Sequence, residues 1–197
     1  MHPSSYEKMA EFCRDYLASK RSSRLTILDI GSADYNGSYR PIFTNANWRY
    51  IAADLAPGPN VDLVLRDPYR WREFKSNSVD VIVSGQTFEH AEFFWVTMEE
   101  IARVLKPGGL CCIIAPAAGP EHRYPLDCWR VLADGFRAVA RYAQLKVLHA
   151  HTTWLDDLSY TSGGETWHES VLIAKKPNAT FVQNLFRRAA ASLSRRL

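Results

Sequence analysis

The sequence predicts an α/β protein with a doubly wound, mostly parallel sheet that is covered by helices on both faces. Residues 25–30 form an apolar run that ends at Gly31, and residues 48–53 form a second run that ends at Asp54. Runs of this kind are typical of parallel strands buried on both faces. Segments with helical periodicity alternate with the strands, as in a sheet built from βαβ units.

Local patterns predict the individual elements. Behind a capping-box pattern, Ser4-x-x-Glu7, apolar side chains recur at helical spacing and predict a helix over residues 5–19. The remaining predicted elements are a strand at 25–30, a short helix within 38–46, strands at 48–53 and 61–65, a short helix at 71–75, a strand at 79–84, a helix at 93–104, a turn at 106–109, a strand at 110–115, a helix that ends near residue 140, and strands at 146–153 and 167–174.

The first two strands indicate a nucleoside site. A strand, a glycine turn, a helix and a second strand that ends in an acid form the βαβ unit that holds a nucleoside, with the acid on the ribose hydroxyls. Gly31 and Asp54 occupy these positions. A dinucleotide-binding dehydrogenase is less favoured, because Ala33 and Asn36 stand where its second and third glycines would be.

Three further motifs follow the glycine turn in a fixed order. They are the strand at 78–84, the segment Gln-Thr-Phe-Glu-His at 86–90 and the turn Leu-Lys-Pro-Gly-Gly-Leu at 105–110. In this order, residues 25–175 resemble the class I S-adenosylmethionine (SAM)-dependent methyltransferases. The resemblance implies a Rossmann-like fold with an antiparallel last strand and SAM as the cofactor. The chain departs from the family's commonest turn at Ala33, where a second glycine is usual.

The resemblance implies a set of cofactor-binding residues. Asp29, Gly31, Ser32 and Gln86 serve the methionine portion, Asp54 the two ribose hydroxyls and Asp67 the adenine amine, with Leu55 in the same set. An ionised carboxylate such as Asp54 offers two acceptor oxygens for two hydroxyl donors. Two alternatives stay open, namely that Asp54 caps its strand and that Asp67 begins a turn.

Two histidines are candidates for the chemistry. An alcohol acceptor needs a general base, and histidine is the usual choice because its pKa lies near neutral pH. His122 and His90 follow predicted strands at the edge nearest the methyl group, so we predict that they are catalytic. His90 can instead hold the geometry of its loop.

A dense polar and aromatic loop surrounds His122. Its candidate acceptor-binding residues are Arg123, Tyr124, Asp127, Trp129 and Arg130. Residues 122–130 are similar to a segment of small methyltransferases of surface-polysaccharide and glycan biosynthesis. We therefore predict methyl transfer to a hydroxyl of a sugar, a glycan or a small metabolite. The alternatives are an N-, protein or natural-product methyltransferase, a non-catalytic SAM-binding or scaffold protein, and a structural Asp127–Arg130 pair with Trp129 in the core.

No metal site is predicted. His149, His151, Asp156 and Asp157 offer nitrogen and oxygen donors, but their spacing matches no ligand pattern. The four cysteines lack zinc-like or CxxC spacing, which predicts buried free thiols in a reducing cytoplasm. The first residues show no signal-peptide pattern.

Charged residues are distributed unevenly along the chain. Residues 175–197 contain six Lys or Arg residues and no acid, whereas the whole chain has a net charge of +3, so the remainder carries −3. This balance predicts no nucleic-acid partner. We divide the chain into an N-terminal helix and linker (1–24), a methyltransferase domain (25–176) and a basic amphipathic helix (177–197). That helix (residues 179–197) can lie on an anionic membrane, pack on the domain or a partner, or fray. The oligomeric state is left open.

Overall fold

The computed structural model describes residues 3–154 and 167–178. Its helices and strands in chain order are α1 (Pro3–Leu17), β1 (Leu25–Ile30), β2 (Trp48–Asp54), β3 (Leu63–Val64), β4 (Val79–Gly85), α2 (Phe94–Val104), β5 (Leu105–Pro116), α3 (Ala133–Tyr142), β6 (Lys146–Thr152) and β7 (Glu169–Lys175). Short 3₁₀ turns lie at Ala18–Lys20 and Arg40–Phe43.

The described strands form one seven-stranded sheet in the order β3-β2-β1-β4-β5-β7-β6. The pairs of β1 with β2 and β4, of β2 with β3 and of β4 with β5 are parallel. β7 runs antiparallel to both β5 and β6. The predicted fold class and antiparallel end are confirmed. The strand order reverses between β1 and β4, and ligands of such sheets bind there, beyond the carboxyl ends of the strands.

Apolar cores lie on both faces of the sheet. One cluster joins α2 and α3 to the sheet through residues such as Ile101 and Phe136, and the other joins α1 and the Arg40–Phe43 turn through Phe12 and Phe43. β1 contributes to both, because Leu28 faces the first cluster and Ile27 the second. Burial on both faces explains its largely apolar sequence, which Thr26 and Asp29 interrupt.

Four predicted elements differ in the structure. The helix predicted at 71–75 is absent, because the Trp71 backbone N–H donates to Glu100 and its indole donates to the Pro68 carbonyl. The turn predicted at 106–109 is part of β5, whose pairing with β4 shifts register there. The strand predicted at 61–65 shortens to Leu63–Val64, and the helix predicted within 38–46 is only a 3₁₀ turn.

The predicted capping box is also wrong. α1 begins at Pro3, so Ser4 lies inside the helix, and its hydroxyl donates to Glu169 at 2.9 Å. All four cysteines are free, as predicted, but Cys128 is exposed. None of the described helices is long and apolar enough to cross a membrane. Asp156, Asp157 and the basic segment from residue 179 onward lie outside the described residues.

Candidate active site

The glycine turn after β1 is held against the end of β2. The backbone N–H groups of Gly31 and Ser32 both donate to the Ala53 carbonyl, at 2.9 and 3.2 Å. Gly31 has a φ of +71°, and a Cβ at this position would lie 2.1 Å from Thr87 Oγ1. Only glycine meets both conditions without strain, since other residues rarely adopt this φ. The turn therefore places backbone atoms without a side chain at the point where the strand order reverses.

Asp54 ties the turn to its own strand end. Its Oδ2 accepts from the Ala33 N–H at 2.9 Å, and its Oδ1 accepts from the Leu55 N–H at 2.7 Å. The carboxylate thus caps the strand, which was the alternative role. Each oxygen can still accept a further hydrogen bond, because an ionised carboxylate has about four lone-pair sites. Capping and ribose binding are therefore compatible in Asp54.

Asp29 lies beneath the turn, near the end of β1. It is almost fully buried, and Tyr50 donates its hydroxyl proton to Asp29 Oδ2. Burial raises the pKa of Asp29 to about 7, against the lowering effect of the Tyr50 hydrogen bond. Near neutral pH this carboxyl group is therefore partly protonated, whereas an exposed aspartate is fully ionised.

We expect Asp29 to make folding stability fall as pH rises. Its native pKa of about 7 exceeds the usual unfolded value, so the native state binds the extra proton and loses it as pH rises through 7. The free energy of unfolding of the wild type should fall by roughly 2–3 kcal/mol between about pH 5 and about pH 8, relative to Asp29→Asn. Urea unfolding of both proteins across this range measures the difference, and parallel pH profiles would contradict the assignment.

The other predicted cofactor residues occupy the same edge. Asp67 Oδ1 accepts from the Tyr69 N–H at 2.8 Å, so this carboxylate does begin a turn. Gln86 has a φ of +57°, and its amide donates to Glu169 at 2.8 Å. Leu55 is 54% exposed. Their contacts with a cofactor stay predictions.

Glu169 is a residue of this edge that no sequence pattern indicated. It is almost fully buried at the start of β7 and accepts from Ser4, Lys8 and Gln86. Burial raises its pKa, while the Lys8 ammonium, 3.4 Å away, lowers it in part. This network fastens α1 onto the carboxyl edge of the sheet beside β4.

Glu89, His90 and His122 form a compact cluster, called here the Glu-His-His cluster. Glu89 Oε1 lies 3.6 Å from His90 Nε2 and 4.0 Å from His122 Nε2. Burial raises the pKa of Glu89 to about 8, and burial lowers the pKa of His90. The structure thus brings together the two predicted catalytic histidines from different loops. The sequence could not show that Glu89 lies between both histidines, because His122 is 33 residues further along the chain.

Backbone contacts fix the two loops of this cluster together. His90 Nδ1 bonds to the Leu126 carbonyl at 2.6 Å, so this nitrogen carries the proton, because a carbonyl only accepts. The carbonyl of Glu89 accepts from the N–H groups of Cys128 and Trp129. His90 therefore does hold loop geometry, and its Nε2 is left as a lone pair that faces Glu89.

Asp127 and Arg130 form the ion pair that the structural alternative proposed. Arg130 Nη1 lies 2.6 Å from Asp127 Oδ1, and this hydrogen bond lowers the pKa of Asp127 well below its usual range. Asp127 Oδ2 also accepts from the His122 backbone N–H at 2.7 Å and lies 3.4 Å from His122 Nδ1. These two residues therefore position His122, which is a different role from the predicted acceptor contact.

The remaining predicted acceptor residues lie on the outer side of the loop. Arg123 is exposed and pairs with Glu121, and Tyr124 is 61% exposed. Trp129 lies at the surface at 36% exposure, so it is not a core residue, and its indole donates to the carbonyls of Ala91 and Glu92. Tyr124 thus lies beside the cluster, whereas the Trp129 ring packs against Phe94 and Trp95.

Two tyrosines connect the cluster to the cofactor turn. The ring of Tyr35, just after the glycine turn, lies 5.3 Å from the ring of Tyr124, which in turn lies 6.4 Å from the ring of His90. The predicted cofactor and acceptor regions are therefore neighbours at one edge of the sheet.

Part of the chain is similar in sequence to known methyltransferases. Residues 28–113, from β1 into β5, match a family model described as a methyltransferase domain. An uncharacterized methyltransferase of Mycolicibacterium gilvum is 29% identical over 131 residues, which are 61% of this chain and 50% of that protein. The chain thus spans about half the length of the curated relatives it matches.

Solved structures share the fold. A SAM-dependent methyltransferase from Archaeoglobus fulgidus is 14% identical, with a TM-score of 0.62 over 87% of this chain and 95% of that one. The [4+2]-cyclase SpnF is 16% identical, with a TM-score of 0.58 over 84% of this chain and 82% of that one. The fold alone therefore does not define the reaction. Residues 28–113 are thus similar in sequence to a methyltransferase domain, and the solved structures share the α/β fold of the chain.

Proposed function

We propose that the protein transfers the methyl group of SAM to a hydroxyl of a sugar, a glycan or a small metabolite. The observation that carries this proposal is the His122–Asp127 pair, with Nδ1 3.4 Å from Oδ2, beside the loop that contacts the cofactor turn. Distances of this kind are often loose without substrate and tighten in the reacting complex.

Asp127 sets the proton of His122 for this role. An ionised carboxylate only accepts hydrogen bonds, so it favours the tautomer with the proton on Nδ1. Arg130 and the His122 backbone N–H hold Asp127 in place. His122 Nε2 then keeps the lone pair that a general base needs.

The reaction balances with these groups. His122 Nε2 takes the proton of the acceptor hydroxyl, and the hydroxyl oxygen forms a bond to the methyl carbon as the carbon–sulfur bond of SAM breaks. The products are a methyl ether, neutral S-adenosylhomocysteine and a protonated histidine. Holding the two reactants in line supplies much of the rate, because it replaces a bimolecular encounter.

The preference for a sugar-like acceptor is supported by the side chains around His122. Exposed Tyr124 presents a ring face 6.4 Å from the His90 ring, and the neighbouring Arg123 guanidinium is exposed. Aromatic rings with polar groups at their edge suit a ligand that has apolar faces and many hydroxyls. Membrane attachment through the basic segment stays a separate proposal, tested by liposome binding with and without residues 179–197.

Methyl transfer from labelled SAM to a panel of sugars, glycans, small alcohols and amines tests the proposal. We expect transfer to a hydroxyl compound, and we expect His122→Gln to lower kcat by roughly 10²–10⁴-fold, the usual contribution of a general base. SAM affinity should not change in this variant. His149→Gln, on the edge strand β6, is the matched control and should keep full activity. Transfer to amines alone, or full activity of His122→Gln, would refute the proposal.

A further inference from the structure

The side chain of Glu89 is buried without a hydrogen bond to another side chain among the described residues, although the charge of Arg130 favours its ionised form. The residue is completely inaccessible, and within residues 3–154 and 167–178 neither of its side-chain oxygens accepts a hydrogen bond. A buried charge is costly unless it is paired, hydrogen-bonded or coordinated to a metal. The Nε2 atoms of His90 and His122 are 3.6 and 4.0 Å from it, beyond hydrogen-bond reach.

The spacing of the three side chains suits one bound cation. Their ligand atoms all lie within 4.8 Å of one another. Two ligands of a tetrahedral ion, each about 2.1 Å from it, lie roughly 3.4 Å apart. The measured separations of 3.6 and 4.0 Å are slightly larger, so small side-chain rotations would bring them to this value.

The imidazole of His90 is oriented as that of a metal-binding histidine is, and a carboxylate lies near the corresponding nitrogen of His122. Such a histidine usually donates its other ring N–H to a carbonyl or a carboxylate, which fixes the tautomer. His90 does so with the Leu126 carbonyl at 2.6 Å, whereas His122 Nδ1 makes no hydrogen bond within the described residues and has the Asp127 carboxylate 3.4 Å away. The Nε2 lone pair of His90 therefore lies toward the buried carboxylate, and metal binding would require His122 Nδ1 to donate to Asp127.

We propose that Glu89, His90 and His122 bind one divalent first-row transition metal ion. Two imidazole nitrogens and one carboxylate oxygen are ligands that Zn²⁺, Co²⁺, Mn²⁺ and Fe²⁺ accept, and three protein ligands leave a position open. This site departs from the sequence expectation, which assigned no metal ligand. It also differs from the His149–His151 pair, whose rings lie 6.2 Å apart on an exposed strand.

The consequence for catalysis rests on the proposed function. A metal lowers the pKa of a bound hydroxyl, so it would activate the acceptor in place of a general base. His122 would then serve as a ligand. Metal binding itself can be measured without SAM or acceptor, so the site and the methyl transfer can fail independently.

Titration of chelator-treated protein with Co²⁺ tests the site. We expect one Co²⁺ ion per chain, with a visible absorption band that disappears when Zn²⁺ displaces the Co²⁺. Glu89→Gln, His90→Gln and His122→Gln should each weaken binding at least tenfold, while circular dichroism verifies that they fold. His149→Gln/His151→Gln is the matched histidine control, and Cys128→Ser tests the exposed thiol next to the cluster. Both should bind as the wild type does.

Three results would overturn the metal site. They are no stoichiometric binding by the wild type, unchanged binding by all three cluster variants, and loss of binding in either control. The first result would leave Glu89 as a buried neutral acid, and methyl transfer that survives chelation would agree with it. Stoichiometric binding without methyl transfer to any acceptor would support the site and count against the proposed function alone.

Discussion

Replacing Asp54 by asparagine is expected to weaken SAM binding by roughly tenfold to a hundredfold. A hydrogen bond to a charged group contributes about 1.5–3 kcal/mol, and the ribose hydroxyls are the predicted donors. The structure adds a second reason, because the same carboxylate accepts from the N–H groups of Ala33 and Leu55. Asparagine keeps one acceptor oxygen and turns its amide donors toward one of these N–H groups.

Calorimetric titration of wild type and variant measures the loss. Asp80→Asn is the matched control, because Asp80 also accepts a backbone N–H, from Thr26, but at the opposite edge of the sheet beside Lys106. We expect Asp80→Asn to bind SAM like the wild type, even if it unfolds more easily. Equal SAM affinity in the wild type and Asp54→Asn would exclude the ribose role and leave only the strand cap.

Replacing Gly31 by alanine is expected to cost roughly 2–5 kcal/mol of stability. The φ of +71° alone costs an alanine about 1–2 kcal/mol. The new Cβ would lie 2.1 Å from Thr87 Oγ1 and 2.5 Å from its Cγ2, and overpacking of a core costs about 1–3 kcal/mol more. Against a typical total of about 5–15 kcal/mol, this is a large loss.

Urea unfolding of Gly31→Ala and of two further variants tests this predicted loss of stability. Gly58→Ala is the matched control, because its Cβ would meet only the Ala33 side chain at 3.9 Å, an ordinary contact. It should change stability little. Adding Thr87→Ala to Gly31→Ala should restore part of the steric loss and none of the backbone strain. Stability of Gly31→Ala equal to that of Gly58→Ala would show that the turn is wider than described.

The sheet could be predicted from the sequence because its strands are locally encoded. β1 is an apolar run interrupted only by Thr26 and Asp29, since it is buried on both faces and contributes to both cores. β7 and β5 are likewise almost entirely buried. The pattern therefore reported burial directly, and the order of the motifs implied the antiparallel end.

The predictions of local structure failed where contacts with residues distant in the chain determine that structure. Ser4 does not cap α1 because the buried Glu169, 165 residues away, accepts its hydroxyl proton. Trp71 forms no helix because Glu100 satisfies its backbone. The same limit hid the Glu-His-His cluster, since only folding brings His122 to the loop after β4. Candidate site residues could be proposed one by one, and their roles stay predictions, but the partners that they contact could not be foreseen.

The carboxyl edge around Gly31 and Asp54 is expected to bind SAM. The most direct measurement is calorimetric titration of the wild type with SAM, S-adenosylhomocysteine and NAD under the same conditions. We expect micromolar binding of the first two and no binding of NAD, because the turn has Ala33 and Asn36 where a dinucleotide motif has glycines. No heat with SAM, or tighter binding of NAD, would contradict it.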